Sequence, residues 1–289
     1  MDLFINITIN GLATGMLIFL LAAGLTLIFG LMDVLNFAHG ALFLWGAYAG
    51  IWAYSATESF FLGIVIALIT GMILGYLLER FIVKPVYGNH IQQILITLGV
   101  MLVLSEFVKV VWGPNIIQAT APEWLQGSWE VGSILLVKYR LFIIFIGLVV
   151  FFALLFLLNK TKLGLVVRAG VINKEMVQVL GINIRKVFLF VFILGAAMAS
   201  LAGVLFGPYS GVIYAEIGLE YGILAFIVVI IGGMGSVLGS MIAALLVGIL
   251  GAYTAYFIPD LSLAVNFVLM LTILIFKPTG LIAAKEVGK

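Results

Sequence analysis

The chain contains no cysteine among its 289 residues. Disulfides, thiolate metal ligands and thiol nucleophiles are thereby excluded. Charge is scarce as well: Asp, Glu, Lys and Arg make up 9% of the residues, and no Lys or Arg precedes Arg80. With only two histidines, His39 and His90, far apart and few acids, a zinc site is not expected. No stretch matches G-x-x-x-x-G-K-[ST], so the chain has no phosphate-binding loop of its own. No paired acids and no nucleophile with a base converge, which argues against a membrane enzyme, and no nucleic-acid partner is expected.

What the chain has in excess is apolar surface. Hydrophobic residues make up 65% of it, and the mean hydropathy is +1.33. Several uncharged runs exceed the roughly 20 residues a spanning helix needs. They are continuously apolar rather than alternating, which disfavours a β-barrel. The expectation is an all-α polytopic membrane protein, one transmembrane domain over residues 1–289.

Nine segments are predicted: Ile5–Leu31, Leu35–Tyr54, Phe60–Leu78, Ile91–Trp112, Leu141–Leu158, Val187–Phe206, Tyr221–Ile231, Val237–Phe257 and Leu263–Phe276. The first lacks a basic leader and is too long for a signal-peptide core, so it reads as retained. Gly232-Gly233-Met234-Gly235-Ser236 breaks what is otherwise one long apolar run into a helix pair. Glu79 to Pro85 reads as a short loop, and 113–138 as the longest extramembrane stretch on its side.

Sorting the charges fixes an expected orientation. Residues 79–90, 159–186 and the C-terminus, if on one side, gather Arg80, Lys84, Lys160, Lys162, Arg168, Lys174, Arg185, Lys186, Lys277, Lys285 and Lys289. The other side holds Lys138 and Arg140. The positive-inside rule makes the first group cytoplasmic, which puts the N-terminus outside, the loop 113–138 outside and the C-terminus in the cytoplasm.

Polar groups in the apolar runs need a reason. Asp33-Val34-Leu35-Asn36-Phe37-Ala38-His39-Gly40 places an acid, an amide and an imidazole in one such run. At i,i+3 spacing Asn36 and His39 share a helix face, with Gly40 adjacent. They either pack against a neighbouring segment or line a path through the bilayer. Glu106 and Lys109, at the same spacing, read as an ion pair near the membrane boundary. Glycine pairs four apart, Gly11/Gly15, Gly46/Gly50, Gly71/Gly75, Gly203/Gly207 and Gly235/Gly239, allow close helix approach. Gly30–Leu35 and Gly232–Val237 show a faint internal repeat.

Within 159–186 lies the most legible local element. Asn173 is a good N-cap, Glu175 stands in the first turn where the helix dipole favours an acid, and Gly181 is placed as a terminating glycine. That predicts a helix over 173–180. Ile172, Met176, Val179 and Leu180 follow i, i+4, i+7, i+8 and give it one apolar face. So short a helix needs something to lie against: the membrane surface, its own bundle, or a soluble partner.

Four stretches in order give the chain a specific resemblance: Asn36-Phe37-Ala38-His39-Gly40; Arg168-Ala169 through Leu180-Gly181-Ile182-Asn183; Gly232-Gly233-Met234-Gly235-Ser236 followed by Gly239; and Lys277-Pro278-Thr279-Gly280-Leu281. The chain resembles the permease subunits of branched-chain amino acid ABC importers, and is most similar to the shorter of the two sister permeases. The resemblance implies a multi-pass protein of a bacterial or archaeal inner membrane, in contact with lipid, a sister permease, two cytoplasmic ATPases and an extracytoplasmic binding protein. It implies no cofactor in this chain, with ATP and Mg bound by the ATPases. It also implies that 173–180 is a coupling helix seated on an ATPase, with Arg168, Asn173, Glu175, Met176, Val179, Leu180 and Gly181 as its coupling residues. Asn36, His39, Gly40, Gly232, Gly233, Gly235 and Ser236 are the candidates for the translocation path or for helix packing. One departure is that Met176-Val177 stand where the family often has paired alanines, and Gly170 where Ala or Val is usual. The rivals are a secondary transporter or channel using Asp33, His39 and Glu79, and a permease of the same family for urea or short amides.

Overall fold

A computed structural model describes residues 2–132, 134–262 and 264–282 of the protein; Lys285 and Lys289 of the basic tail lie outside them. The fold is a helical bundle: α1 (Asp2–Met32), α2 (His39–Thr57), α3 (Phe60–Leu77), α4 (His90–Trp112), α5 (Lys138–Lys160), α6 (Lys162–Ile172), α7 (Lys174–Val179), α8 (Ile184–Ser210), α9 (Ile217–Gly232), α10 (Val237–Phe257) and α11 (Ala264–Phe276). By length and composition, α1, α3 with its helical continuation to Val86, α4, α5, α8 and α10 can cross a bilayer, while α9 and α11 are shorter apolar helices. With α2 they account for the nine apolar segments.

Helix α1 forms the axis. Gly15 through Ile28 are buried without interruption, as befits a helix that is apolar all round and has neighbours on every side. α8 and α10 run antiparallel along it. Close approach depends on missing side chains: a Cβ on Gly24 would lie 2.5 Å from the Gly195 carbonyl of α8, and one on Gly11 would lie 2.7 Å from Cα of Ile249 in α10. All five glycine pairs lie at such contacts. Gly46 meets Ser200, Gly203 meets the carbonyl of Phe43, Gly71 and Gly75 meet Ser200 and Ala196, and Gly235 meets Gly30. In a bundle without a hydrophobic driving force between helices, this closeness supplies the packing energy.

The contacts also sort the loops. Asp33 meets His90, Leu31 meets Gly170, Gly30 meets Gly235 and Gly233 meets Gly280, so residues 78–90, 161–184, 233–236 and 277–282 share one end of the molecule, here the basic end. At the opposite end β1 (Ile117–Gln118) pairs with β4 (Val212–Ile213), and β2 (Ser128–Val131) with β3 (Ile134–Val137). Lys109 bridges Glu106 at 2.9 Å and Glu216 at 3.2 Å there, tying α4 to the start of α9.

Three expectations are corrected. The stretch 79–85 is not a loop: a π turn over Leu78–Val83 and a 3-10 turn over Lys84–Val86 continue α3, and Pro85 stands in the first turn of the latter, where its missing N–H costs nothing. The stretch 159–186, expected as a cytoplasmic loop, holds a further helix: α6 lies between 159 and 173, its N-cap Thr161 accepting from the Gly164 N–H at 3.0 Å. The second segment is not helical from Leu35. α1 ends where Asp33 adopts φ 58°, a left-handed conformation that Asp tolerates better than most residues, and α2 begins only at His39.

Candidate functional site

The non-helical stretch 33–38 returns the chain into the bundle before α2 starts. The His39 Nε2 lies 3.0 Å from the Leu21 carbonyl. Leu21 stands eleven residues before the end of α1, about 16 Å along its axis. Six or seven non-helical residues can cover that distance. The second crossing is therefore a broken helix whose N-terminus opens deep inside the protein, the arrangement transporters use to expose backbone groups away from water.

Because of the break, Asn36 and His39 do not share a helix face, and Gly40 does not stack on Asn36. Instead the Asn36 carbonyl accepts from the His39 backbone N–H at 3.2 Å, closing the turn into α2. Both side chains are buried, and Gly40 packs on the Gly218 and Gly222 backbone of α9 with no room for a Cβ. A carbonyl can only accept, so His39 donates from Nε2 and its Nδ1 carries the free lone pair. Among the described residues, the Asn36 amide and the His39 Nδ1 have no hydrogen-bond partner. Replacing His39 by Gln keeps a donor in reach of Leu21; transport is expected to stay partly active and to show no step near pH ~6.5, the range of imidazole titration. A complete loss in a normally assembled complex, with a sharp step there in the wild type, would indicate a proton relay instead.

Asp33, His39 and Glu79, the residues an ion path would need, are not brought together. Asp33 faces His90 at 3.5 Å, both half-exposed at the basic end. His39 is bonded to α1. Glu79 is buried and accepts from the Tyr87 hydroxyl at 2.5 Å.

Gly232, Gly233, Gly235 and Ser236 stand at the basic end, about 13 Å along α1 from the level of His39. Gly233 meets the Lys277–Leu281 motif, Gly232 packs on Gly239 and Ser240, and Gly235 meets Gly30. The Leu281 and Ile282 N–H groups donate to the carbonyls of Ile231 and Gly232 at 2.8 and 3.1 Å, satisfying the end of α9. Gly233 has φ 100° and Gly280 φ 84°, and a Cβ on Gly280 would lie 2.5 Å from the Gly233 nitrogen. Ser236 caps α10 through the Gly239 N–H at 3.1 Å. Asp33 and Gly235, matched positions of the internal repeat, both have positive φ, and Gly30 packs on Gly235.

Helix α7 is shorter than predicted, Lys174–Val179, but both signals that defined it operate. The Asn173 side chain accepts from the Met176 N–H at 2.9 Å. Gly181 has φ 78°; its N–H donates to the Gln178 carbonyl at 2.9 Å, and the Ile182 N–H donates to Val177 at 3.3 Å. That pattern is the Schellman motif. Val177 is buried and turns inward, whereas Met176, Val179 and Leu180 are 57%, 81% and 72% exposed. The side chains of Ile172, Lys174 and Glu175 lie outside the described residues. Arg168 on α6 reaches the Asn159 side chain at 3.4 Å. Sequence reasoning missed Thr97 and Gln93 on α4, which are buried among apolar neighbours; isolated polar residues inside a spanning helix were the available signal.

The family described as "Branched-chain amino acid transport system / permease component" matches residues 7–274. The chain is 30% identical to the high-affinity branched-chain amino acid transport system permease protein LivH of Escherichia coli K12, over 99% of this chain and 97% of the relative. It is 31% identical to BraD, a permease protein of the same description from Pseudomonas aeruginosa, over 97% and 96%. LivM of Escherichia coli K12 is 26% identical over 92% of this chain and 68% of its own length. No solved structure matches. With the family match spanning residues 7–274 and the identity to LivH running nearly end to end, this multi-pass membrane protein belongs to the permease components of branched-chain amino acid transport systems.

Proposed function

We propose that this chain forms, with a second permease subunit, the path by which an inner-membrane ABC importer takes up leucine, isoleucine and valine. Two ATPases on the cytoplasmic side bind ATP and Mg and supply the energy; an extracytoplasmic binding protein delivers the substrate. The chain has no catalytic site of its own. The observation that carries the reading is α7: a capped helix at the basic end that leaves Met176, Val179 and Leu180 uncovered. A helix this short needs a surface to lie against, and an exposed apolar triplet on it suits a groove on an ATPase.

The basic end is cytoplasmic on this reading. The absence of native cysteine makes the orientation directly measurable. A single cysteine replacing the exposed Gln126 is expected to react with a membrane-impermeant thiol reagent in intact cells, and one replacing Gln178 only after the cells are opened. The reverse pattern would invert the orientation. The substrate is tested by ATP hydrolysis in the assembled complex: binding protein loaded with leucine, isoleucine or valine should stimulate it, and stimulation by urea alone would move the chain to the amide branch of its family.

A further inference from the structure

This inference rests on the importer reading above. It concerns how the break over 33–38 is held. Turn and helix bonds satisfy the Asp33 N–H and the Asn36 and Ala38 carbonyls, but the Leu35 carbonyl and the Phe37 N–H lie in the break without a helical partner, where a bilayer offers no water. Helix α4 supplies their partner. The Phe37 N–H donates to the Thr97 hydroxyl at 3.1 Å, and the same hydroxyl lies 3.3 Å from the Leu35 carbonyl and 2.6 Å from the Gln93 carbonyl. Thr97 is 1% exposed. On its other flank the break is held by the Phe37 ring, stacked on Phe226 of α9 with centroids 4.3 Å apart.

The outer half of α4 is anchored: the Trp45 Nε1 donates to the Leu104 carbonyl at 3.0 Å, and Lys109 bridges to Glu216 at 3.2 Å. Its inner half buries Gln93, Thr97 and Met101, and a Cβ added to Gly99, two positions from Thr97, would meet nothing within 4 Å. We propose that Thr97 is a positioning residue of the transport cycle, its hydroxyl latching the broken segment to α4, with the latch made and released as the path opens and closes. The chemistry of threonine suits this. Its single hydroxyl proton can serve either the Gln93 carbonyl of its own helix or the Leu35 carbonyl of the break. When the inner half of α4 moves from the break, the hydroxyl stays paired with the Gln93 carbonyl, and the groups that lose a partner are the Phe37 N–H and the Leu35 carbonyl.

The test separates the hydroxyl from the shape of the side chain. In the complete complex in liposomes, Thr97→Val is expected to lower the amount of amino acid transported per ATP hydrolysed about tenfold, the scale of one unmade buried hydrogen bond. Basal ATP hydrolysis should persist, and Thr97→Ser should restore the ratio. A second measurement needs neither substrate nor partner. With a single cysteine replacing Asn36, thiol labelling in membranes should be slow beside Thr97 and markedly faster beside the valine variant. This arm reads the latch even if the substrate is not a branched-chain amino acid or the valine complex fails to assemble. An unchanged labelling rate with valine would overturn the proposal. So would a native transport ratio with valine, or a serine variant as impaired as the valine one.

Discussion

Replacing Met176 by Asp is expected to abolish retention of the ATPase subunits on the purified permease, and with it substrate-stimulated ATP hydrolysis. Met176 is more than half exposed at the basic end, one turn from Leu180 on the same face of α7. A carboxylate there would be left unpaired in a contact that excludes water, at a cost of several kcal/mol. About 3 kcal/mol already weakens an association more than a hundredfold. Because the Met176 side chain projects outward, the permease itself should fold and insert normally, so the loss is one of docking. Gly181→Val should weaken docking less. Nothing lies within 4 Å of a Cβ at that position, so the effect is confined to φ 78°, which a β-branched residue resists. Full retention of the ATPases by the Met176→Asp protein would leave α7 as a membrane-surface helix.

The second large effect is expected inside the bundle. Gly203→Leu should prevent α2 and α8 from packing, because its Cβ would clash with the Phe43 carbonyl oxygen and crowd the Ala47 nitrogen at 2.8 Å. These are backbone atoms and cannot swing aside. Overpacking costs about 1–3 kcal/mol when side chains can adjust and more when they cannot. The helices would have to separate, and α2 carries His39 and the break with it. The expected result is protein that inserts but is not recovered as a monodisperse species in detergent. Gly251→Leu is the matched control: its site in α10 has nothing within 4 Å. Equal recovery of both variants would contradict the packing account.

The helical architecture was legible because its signal is collective. Long uncharged runs allow one reading, and the paired glycines pointed to close contacts that the structure places at α1, α2, α3, α8 and α10. α7 was legible for a different reason: Asn173 and Gly181 act on neighbours within their own turn, so residue type and spacing suffice. The break at 33–38 was not. Val34, Leu35, Phe37 and Ala38 are as apolar as any helix interior, and the departure is set by Asp33 at φ 58° and by Thr97 sixty residues away. The same holds for the glycine motifs: Gly233 and Gly280 require each other's bare backbone, a relation that no local window contains. α6 went unread because basic residues at the membrane surface mask a helix that rests on α5 and α1.

The central claim is that ATP hydrolysis in partner subunits drives a branched-chain amino acid through this chain. The most direct measurement is uptake of labelled leucine into liposomes holding the permease pair with its ATPases, the binding protein being present on one side and ATP on the other. The account predicts accumulation that requires both ATP and the binding protein and is unaffected by a protonophore. Uptake that proceeds without ATP and collapses when the proton gradient is dissipated would contradict it.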